Sequence, residues 1–211
     1  GDTKMREIFC YEDGKMNSFL LDETAGELCW IIEASPDIFW LATSKNGIAA
    51  YSLNNDKKSG ERSLKSLNYS PYDFNEHYMV DYFKDSKNRL WFIAYKSKTE
   101  SDHHLWCIDK FGKKLIKNSV SNALGKFGIY PFYEDSKNNI WIGTSQSGVI
   151  KIDNLMNYQL LNQEQRLDLS SISNITGNTA NDIFFIGYKS ILMQNKELRI
   201  LDNKWTDKIN E

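Results

Sequence analysis

The sequence predicts an all-β fold, a β-propeller of four-stranded antiparallel blades, about five in number. A motif centred on an aromatic residue recurs along the chain, as a repeat architecture requires. Each copy reads as short apolar strands separated by turn-forming residues, and no segment has the periodicity of an amphipathic helix. The 211 residues, 41% of them hydrophobic, can bury the core of one such domain. We therefore assign residues 1–211 to a single propeller domain.

The repeated motif is clearest in its second and third copies. Residues 85–93 (DSKNRLWFI) recur as residues 135–143 (DSKNNIWIG), displaced by 50 positions. A further copy lies at residues 36–43, and a degenerate one at residues 181–188, with Phe185 aligned to the tryptophans. The tryptophans are expected to wedge between neighbouring blades. The predicted blades cover approximately residues 1–28 (partial), 29–70, 78–118, 129–165 and 170–205.

The two termini are predicted to meet. Residues 7–12 resemble residues 105–109, the third strand of the second full blade, so the chain begins in mid-blade by this alignment. Propellers remove their free strand edges by closing into a ring, and residues 8–21 are expected to join strands near Trp205. A partial propeller from a larger ring is the alternative.

Composition excludes several functional classes. The net charge of −2 arises from 26 basic and 28 acidic residues spread along the chain, so nucleic acid is not an expected partner. No apolar run reaches the roughly 20 residues of a spanning helix, so membrane insertion of this segment is not expected. Cys10, Cys29 and Cys107 lack metal-ligand spacing and are interpreted as core residues. We interpret His103 and His104 as surface-loop residues rather than a metal pair.

No catalytic residue, metal site or cofactor is predicted. Asp85 and Asp135 open identical turns, where a carboxylate bonds the following backbone amides, and this position indicates a structural role. Asp81 and Glu134 are the remaining carboxylates on first strands that a glycan-cleaving enzyme could use. We keep that enzyme as an alternative, together with a structural scaffold that self-associates.

The third copy resembles the two-component regulator propeller repeat. Residues 133–144 followed by residues 148–153 match its usual form, Asp-x-x-Gly-x-Leu-Trp-Ile-Gly-Thr followed by an alternating strand. Asn88 and Asn138 replace the usual glycine, and asparagine also accepts the left-handed backbone conformation. The resemblance implies a sensor of the Bacteroidetes hybrid two-component systems, periplasmic or on the cell surface, which responds to glycan fragments.

The predicted ligand site lies on loops at one face of the propeller, where sites of this architecture are usual. These loops join second to third strands and one blade to the next. Aromatic rings with polar tips suit a sugar ring or a peptide side chain, so a glycan fragment or an envelope protein is the expected partner. The alternative is that the aromatics close the seams between blades. The predicted ligand-binding residues are Tyr72, Phe74, His77, Tyr78, Tyr95, Phe127, Tyr130, Gln146 and Tyr188.

Overall fold

In the computed structural model of the chain, the regular secondary structure of the described residues consists of β-strands. The structure describes residues 7–12, 14–21, 27–43, 47–55, 62–67, 78–95, 103–113, 115–116, 131–144, 148–161, 172–178, 182–187, 191–194 and 197–200. No helix that could cross a bilayer occurs in this part of the chain.

Five antiparallel sheets follow one another in chain order. The N-terminal hairpin contains β1 (Glu7–Glu12) and β2 (Lys15–Leu20). Blade 1 contains β3 (Leu28–Ser35), β4 (Ile38–Thr43), β5 (Gly47–Asn55) and β6 (Arg62–Ser66). Blade 2 contains β7 (Tyr78–Lys84), β8 (Leu90–Tyr95) and β9 (His103–Ile108). Blade 3 contains β10 (Phe132–Glu134), β11 (Ile140–Gly143), β12 (Val149–Ile152) and β13 (Tyr158–Leu161), and blade 4 contains β14 (Asn174–Gly177), β15 (Ile183–Ile186), β16 (Ile191–Gln194) and β17 (Glu197–Ile200).

In every described sheet the strands are paired in the order in which they follow one another in the chain. The sheets of the four blades are therefore antiparallel meanders. Blade 2 continues beyond β9, where the Leu115 amide donates to the Cys107 carbonyl at 2.8 Å, as the first bond of a fourth strand would. The predicted class is therefore confirmed, since sequential four-stranded antiparallel meanders are the units of a β-propeller.

Consecutive blades are joined by shared apolar clusters. Trp40 of blade 1 is buried with Leu90 and Phe92 of blade 2. Trp91 is buried with Ile140 and Ile142 of blade 3 in the same way, and Trp141 is buried with residues of blade 4. The second-strand tryptophan of each blade therefore fills the seam with the next blade. A fully buried aromatic side chain contributes roughly 1.5–3 kcal/mol through burial alone, so these rings account for much of the cohesion between blades.

The fourth repeat differs by one residue from its predicted alignment. Turns 178–182 and 135–139 close with the same hydrogen bond, from the amide of the first residue to the carbonyl of the fifth, at 3.1 and 3.0 Å. This equivalence puts Phe184 at the position of Trp141. Phe185 is instead buried towards blade 3, with its ring 5.7 Å from that of Trp141. The assignment of Phe185 to the tryptophan position is wrong, because a shift of one residue along a strand exchanges its two faces.

The meander separates two edges of the blades. First-to-second and third-to-fourth connections lie at one edge, the turn face, which includes residues 34–38, 85–89, 109–113, 135–139, 153–157 and 178–182. The opposite edge, the loop face, carries the connections between second and third strands and those between blades. These are residues 44–46, 96–102, 145–147 and 188–190, and residues 68–77, 117–130 and 162–171, all outside the described part of the chain.

Two further predictions from the sequence need correction. His103 and His104 belong to β9 rather than to a surface loop, and His103 is buried. Cys107 is a core residue as predicted, whereas Cys29 is exposed at the start of blade 1. The predicted pairing of residues 8–21 with strands near Trp205 stays a prediction, because Trp205 lies outside the described residues.

Candidate functional site

Of the nine predicted ligand-binding residues, the structure describes two, both at the loop-face end of blade 2. Tyr72, Phe74, His77, Phe127, Tyr130, Gln146 and Tyr188 lie outside the described residues, and only the backbone of Tyr78 and Tyr95 is described. Tyr78 begins β7, Tyr95 ends β8, and the two are directly paired. Tyr95 pairs in turn with His103 of β9. Tyr78, Tyr95 and His103 therefore lie side by side at the loop-face end of blade 2. The two tyrosines are among the ligand-binding residues predicted from the sequence.

The stems of three loops converge on Gly143 in blade 3. The Gly143 amide donates to the Pro131 carbonyl at 2.9 Å, and the Ile172 amide donates to the Thr144 carbonyl at 3.1 Å. A Cβ atom on Gly143 would stand 2.7 Å from both Pro131 Cγ and Ile172 Cγ2, so only glycine permits this approach. The junction holds the ends of segments 117–130, 145–147 and 162–171 together at the loop face.

Thr144 closes the stem of the loop that contains Gln146. Its hydroxyl donates to the Gly148 carbonyl at 2.8 Å, and its amide donates to the same carbonyl at 2.9 Å. Gly148 has a φ of 93°, in the region that favours glycine. Thr144 is fully buried, so its hydroxyl is satisfied within the protein and serves to hold the loop rather than to meet a ligand.

An aromatic pair, of which Trp30 is exposed and Tyr82 is half-buried, joins the first strands of blades 1 and 2. The rings of Trp30 and Tyr82 meet edge to face, with centroids 5.0 Å apart and planes at 72°. Trp30 keeps 39% of its surface exposed, near the loop-face end of β3. The sequence analysis missed both residues. No spacing within one repeat signals the pair, because the contact forms between the first strands of two blades.

Asp81 precedes Tyr82 on β7, and because successive side chains of a strand point to opposite faces, its carboxyl group lies on the other face from the Tyr82 ring. Burial raises its pKa, and a hydrogen bond from the Tyr82 amide to its Oδ1 atom, 2.8 Å long, opposes that effect. The residue lies at an irregularity in the pairing of β7 with β8, between Met79 and Asp81. A half-buried carboxyl group of this kind can accept hydrogen bonds from the hydroxyl groups of a bound polar molecule.

The turn face is held by aspartates, which confirms their predicted role. Asp85 Oδ1 accepts bonds from the Lys87 and Arg89 amides at 3.0 and 2.9 Å, and Asp85 Oδ2 accepts a bond from Trp91 Nε1 at 2.7 Å. Asp135 forms the same set, including a 2.9 Å bond from Trp141 Nε1. One carboxylate therefore fixes both the turn and the orientation of the tryptophan in the seam.

Comparison with known families points to the segment that contains the Asp135 turn. The family model described as the two component regulator propeller matches residues 128–146, the stretch that holds the Asp135 turn, Trp141 and the Gly143 junction. The chain carries a two-component regulator propeller repeat. The family resemblance predicted from the sequence is confirmed at this repeat, where Asp135 fixes a turn, Trp141 fills a seam and Gly143 holds the loop stems.

Solved structures resemble the chain at low sequence identity. A luciferin-regenerating enzyme is 14% identical, with a TM-score of 0.53 over 96% of this chain and 70% of that one. The extracellular domains of the two-component systems BT3049 and BT4673 from B. thetaiotaomicron are 17% and 15% identical, with TM-scores of 0.41 and 0.49. They cover 82% and 91% of this chain, which spans 28% and 27% of their length. At these identities the likeness bears on the fold alone. No curated protein matches the chain.

Glu134 of the regulator propeller repeat binds the preceding blade. Its carboxylate accepts bonds from the Ser86 amide and the Ser86 hydroxyl, both 2.7 Å long. Asn138 Nδ2 approaches the same Ser86 and Glu134 oxygens at 3.3 Å. Glu134 therefore ties the turns of blades 2 and 3 together at the turn face. Within the described ranges, no group of three or more His, Cys, Asp or Glu side chains could hold a metal ion.

Proposed function

We propose that this chain is the ligand-recognition propeller of an exported two-component sensor, and that its loop face binds a glycan fragment. The observation that carries the proposal is the regulator propeller repeat at residues 128–146. Its turn and seam residues have structural roles, and Gly143 and Thr144 hold the stems of the loops that we assign to recognition. Function in propellers is commonly held by such loops on a rigid scaffold.

The proposal is of binding rather than catalysis. Glycoside cleavage requires two carboxyl groups on either side of the scissile bond. Of the two first-strand carboxylates that the sequence analysis nominated, Glu134 is occupied by Ser86, at 2.7 Å to each of its oxygens, and it stands next to the turn face. Asp81 lies in the middle of β7, away from the turn face that holds Glu134, so we do not assign the two as the acid pair that cleavage needs.

A glycan is favoured by the chemistry at and near the loop face. The loop segments contain Tyr72, Phe127 and Tyr130, and the described Trp30 and Tyr82 rings extend the aromatic surface along the first strands. Flat apolar rings stack on the faces of sugars, while phenol and carboxyl groups accept and donate bonds to sugar hydroxyls.

Calorimetry against a panel of neutral and acidic oligosaccharides tests the proposal. We expect saturable binding of at least one oligosaccharide, and we expect Tyr72→Ala and Tyr130→Ala to weaken it at least about tenfold, the loss of roughly one aromatic contact. Lys87→Ala and Lys137→Ala change exposed residues of the turn face and are the matched controls, which should bind as the unaltered protein does.

Three outcomes would contradict the proposal. If no oligosaccharide binds while the chain captures an envelope protein through its loop face, the ligand is a protein. If a bound oligosaccharide is shortened on prolonged incubation, the function is catalytic. If Lys87→Ala weakens binding as much as Tyr130→Ala does, the ligand face is not the loop face.

A further inference from the structure

Four turns of blades 2 and 3 share one arrangement at the turn face. Each has five residues and closes with a hydrogen bond from the amide of the first residue to the carbonyl of the fifth. The first residue is an aspartate whose carboxylate accepts backbone amides of the same turn. The third residue stands in the middle of the turn and is exposed in all four. The carboxylates are therefore engaged at the base of each turn, and the third side chain is the one presented to a partner.

Lysines occupy the middle of the inner turns, which join first to second strands. Lys87 has this place in blade 2 and Lys137 has it in blade 3, and both are exposed. Hydrogen bonds from the Ser86 amide and hydroxyl to the Glu134 carboxylate, each 2.7 Å long, connect these two turns across the seam. This connection holds the two lysine-bearing turns side by side and engages both oxygens of Glu134.

Apolar side chains occupy the middle of the outer turns, which follow the third strands. Leu155 in blade 3 is 77% exposed, and Phe111 at the equivalent place in blade 2 is 38% exposed. Leu115 and Tyr158, which follow these turns, are exposed as well. Lys110 stands next to Phe111, with its Nζ atom 4.9 Å from the centroid of the ring. Exposed apolar side chains that recur at one part of a surface mark it as an interaction site.

Lysines beside projecting apolar side chains fit the surface of an anionic bilayer. Ammonium groups attract anionic headgroups, while leucine and phenylalanine side chains enter the boundary between headgroups and acyl chains. A bilayer accepts side chains that project from turns without a matching groove, whereas a protein partner needs a complementary pocket for them. We propose that the turn face of blades 2 and 3 is a peripheral docking surface for an anionic lipid bilayer. The residues that make the contact are Lys87, Lys110, Phe111, Lys113, Lys137 and Leu155.

Docking through the turn face orients the molecule. The turn face and the loop face are opposite edges of the blades, so a docked propeller presents its loop face to the solution. The proposal uses no residue of the loop face and does not depend on the binding of a glycan. A chain with Lys87→Ala and Lys137→Ala should lose affinity for the bilayer and keep any affinity for an oligosaccharide, so the two proposals can fail separately.

Sedimentation with lipid vesicles tests the proposal. The chain is mixed with vesicles of phosphatidylcholine alone or with vesicles that contain about one-third phosphatidylglycerol. We expect binding to the anionic vesicles that exceeds binding to the neutral ones and that falls as salt is added. A lysine near an anionic surface contributes roughly fivefold to partitioning, so Lys87→Ala with Lys137→Ala should weaken binding at least about tenfold. Leu155→Ser should weaken it about threefold or more, because the inserted apolar surface is lost.

Lys65→Ala is the matched control, because Lys65 is an exposed lysine near the loop-face end of β6 and its loss changes the net charge equally. It should bind vesicles as the unaltered chain does. Equal weakening by Lys65→Ala and Lys87→Ala, equal binding to neutral and anionic vesicles, or no binding to either would overturn the proposal. Binding of soluble polyglutamate without binding of vesicles would show that the partner is an acidic protein, which would also overturn it.

Discussion

A five-residue turn with one left-handed residue recurs along the turn face. Its fourth position has a φ between 56° and 86°, and it is occupied by Asp37, Asn88, Gly112, Asn138 and Met156. Its first position is an aspartate that accepts backbone amides in four of these turns. In the turn of residues 34–38 that position is Ala34, and within the described part of the chain Trp40 Nε1 is buried without a hydrogen-bond partner.

Substitution of Asn88 tests the left-handed position. We expect Asn88→Ala to lower the free energy of unfolding by about 1 kcal/mol, because a Cβ atom without a local polar group disfavours this conformation. Asn88→Gly should leave stability nearly unchanged. Urea denaturation followed by tryptophan fluorescence measures both. Lys87→Ala, one residue earlier and exposed, is the control, and equal losses for Ala and Gly at position 88 would refute the conformational explanation.

Asp135 makes stability depend on pH in a predictable direction. Burial alone would raise its pKa, but hydrogen bonds from Asn139, Trp141 and Lys137 hold it below the ordinary value. A carboxyl group with a lowered folded-state pKa adds stability above its unfolded pKa and loses that stability as pH falls through the folded value. The contribution is therefore complete near neutral pH, begins to decline near about pH 4, the unfolded value for aspartate, and is lost once the pH is below the folded-state pKa.

The variant Asp135→Asn measures this contribution. Asparagine keeps one acceptor oxygen but replaces Oδ2, which accepts from Trp141 Nε1, with an amide nitrogen that cannot accept. We expect the variant to unfold at lower denaturant concentration than the unaltered chain at pH 7, and the difference to shrink as pH is lowered below about 4. Asn154→Ala, an exposed change in another turn, should give a difference that is independent of pH. If the difference in stability between Asp135→Asn and the unaltered chain did not change with pH, the pH-dependent contribution assigned to Asp135 would be contradicted.

At the scale of elements, the junction at Gly143 links β11 to both flanking loops. We expect Gly143→Ala to cost about 1–3 kcal/mol, as overpacking does, because the added methyl group meets Ile172 and Pro131 at 2.7 Å. Chemical denaturation measures the loss. The cost should be smaller in an Ile172→Ala background, which removes one of the two clashing groups. Additive effects of the two substitutions would show that Gly143 is not constrained by Ile172.

The elements also show what sequence patterns could and could not predict. The Asp85 and Asp135 turns and the burial of Trp91 and Trp141 were predictable, because the same few residues determine turn, hydrogen bond and seam together. The fourth repeat was misaligned because two phenylalanines stand side by side and hydrophobicity cannot tell them apart. The turn of residues 178–182 decides between them, since its length fixes which face of β15 each ring occupies.

The candidate site was less predictable than the scaffold. The order of strands was enough to bring Tyr78 opposite Tyr95 at the loop face, because a meander fixes which ends of its strands meet. The Trp30 and Tyr82 pair was not predictable from either strand alone. It forms across two blades, and such contacts depend on how sheets pack rather than on any spacing within a repeat.

At the scale of the molecule, each described seam involves only two consecutive blades. The three apolar clusters belong to blades 1 and 2, blades 2 and 3, and blades 3 and 4. The Glu134 carboxylate adds a polar tie between blades 2 and 3 at the turn face. Repeat arrays of this kind have stabilities that are close to sums of terms for each unit and each interface. A defect in one seam should therefore act mainly on the two blades that share it.

Hydrogen exchange of the variant Trp141→Ala tests this locality. Removing a fully buried tryptophan costs about 3–5 kcal/mol, and the ring lost here lies between blades 3 and 4. We expect amides of β11, β12, β14 and β15 to exchange faster, while amides of β4 and β5 keep their protection, since blade 1 meets blade 2 through the separate cluster around Trp40. Trp40→Ala is the reciprocal control and should loosen blades 1 and 2 first. Equal acceleration throughout the chain in both variants would mean that the propeller opens as one cooperative unit, in which case the seams are coupled more tightly than their separate clusters imply.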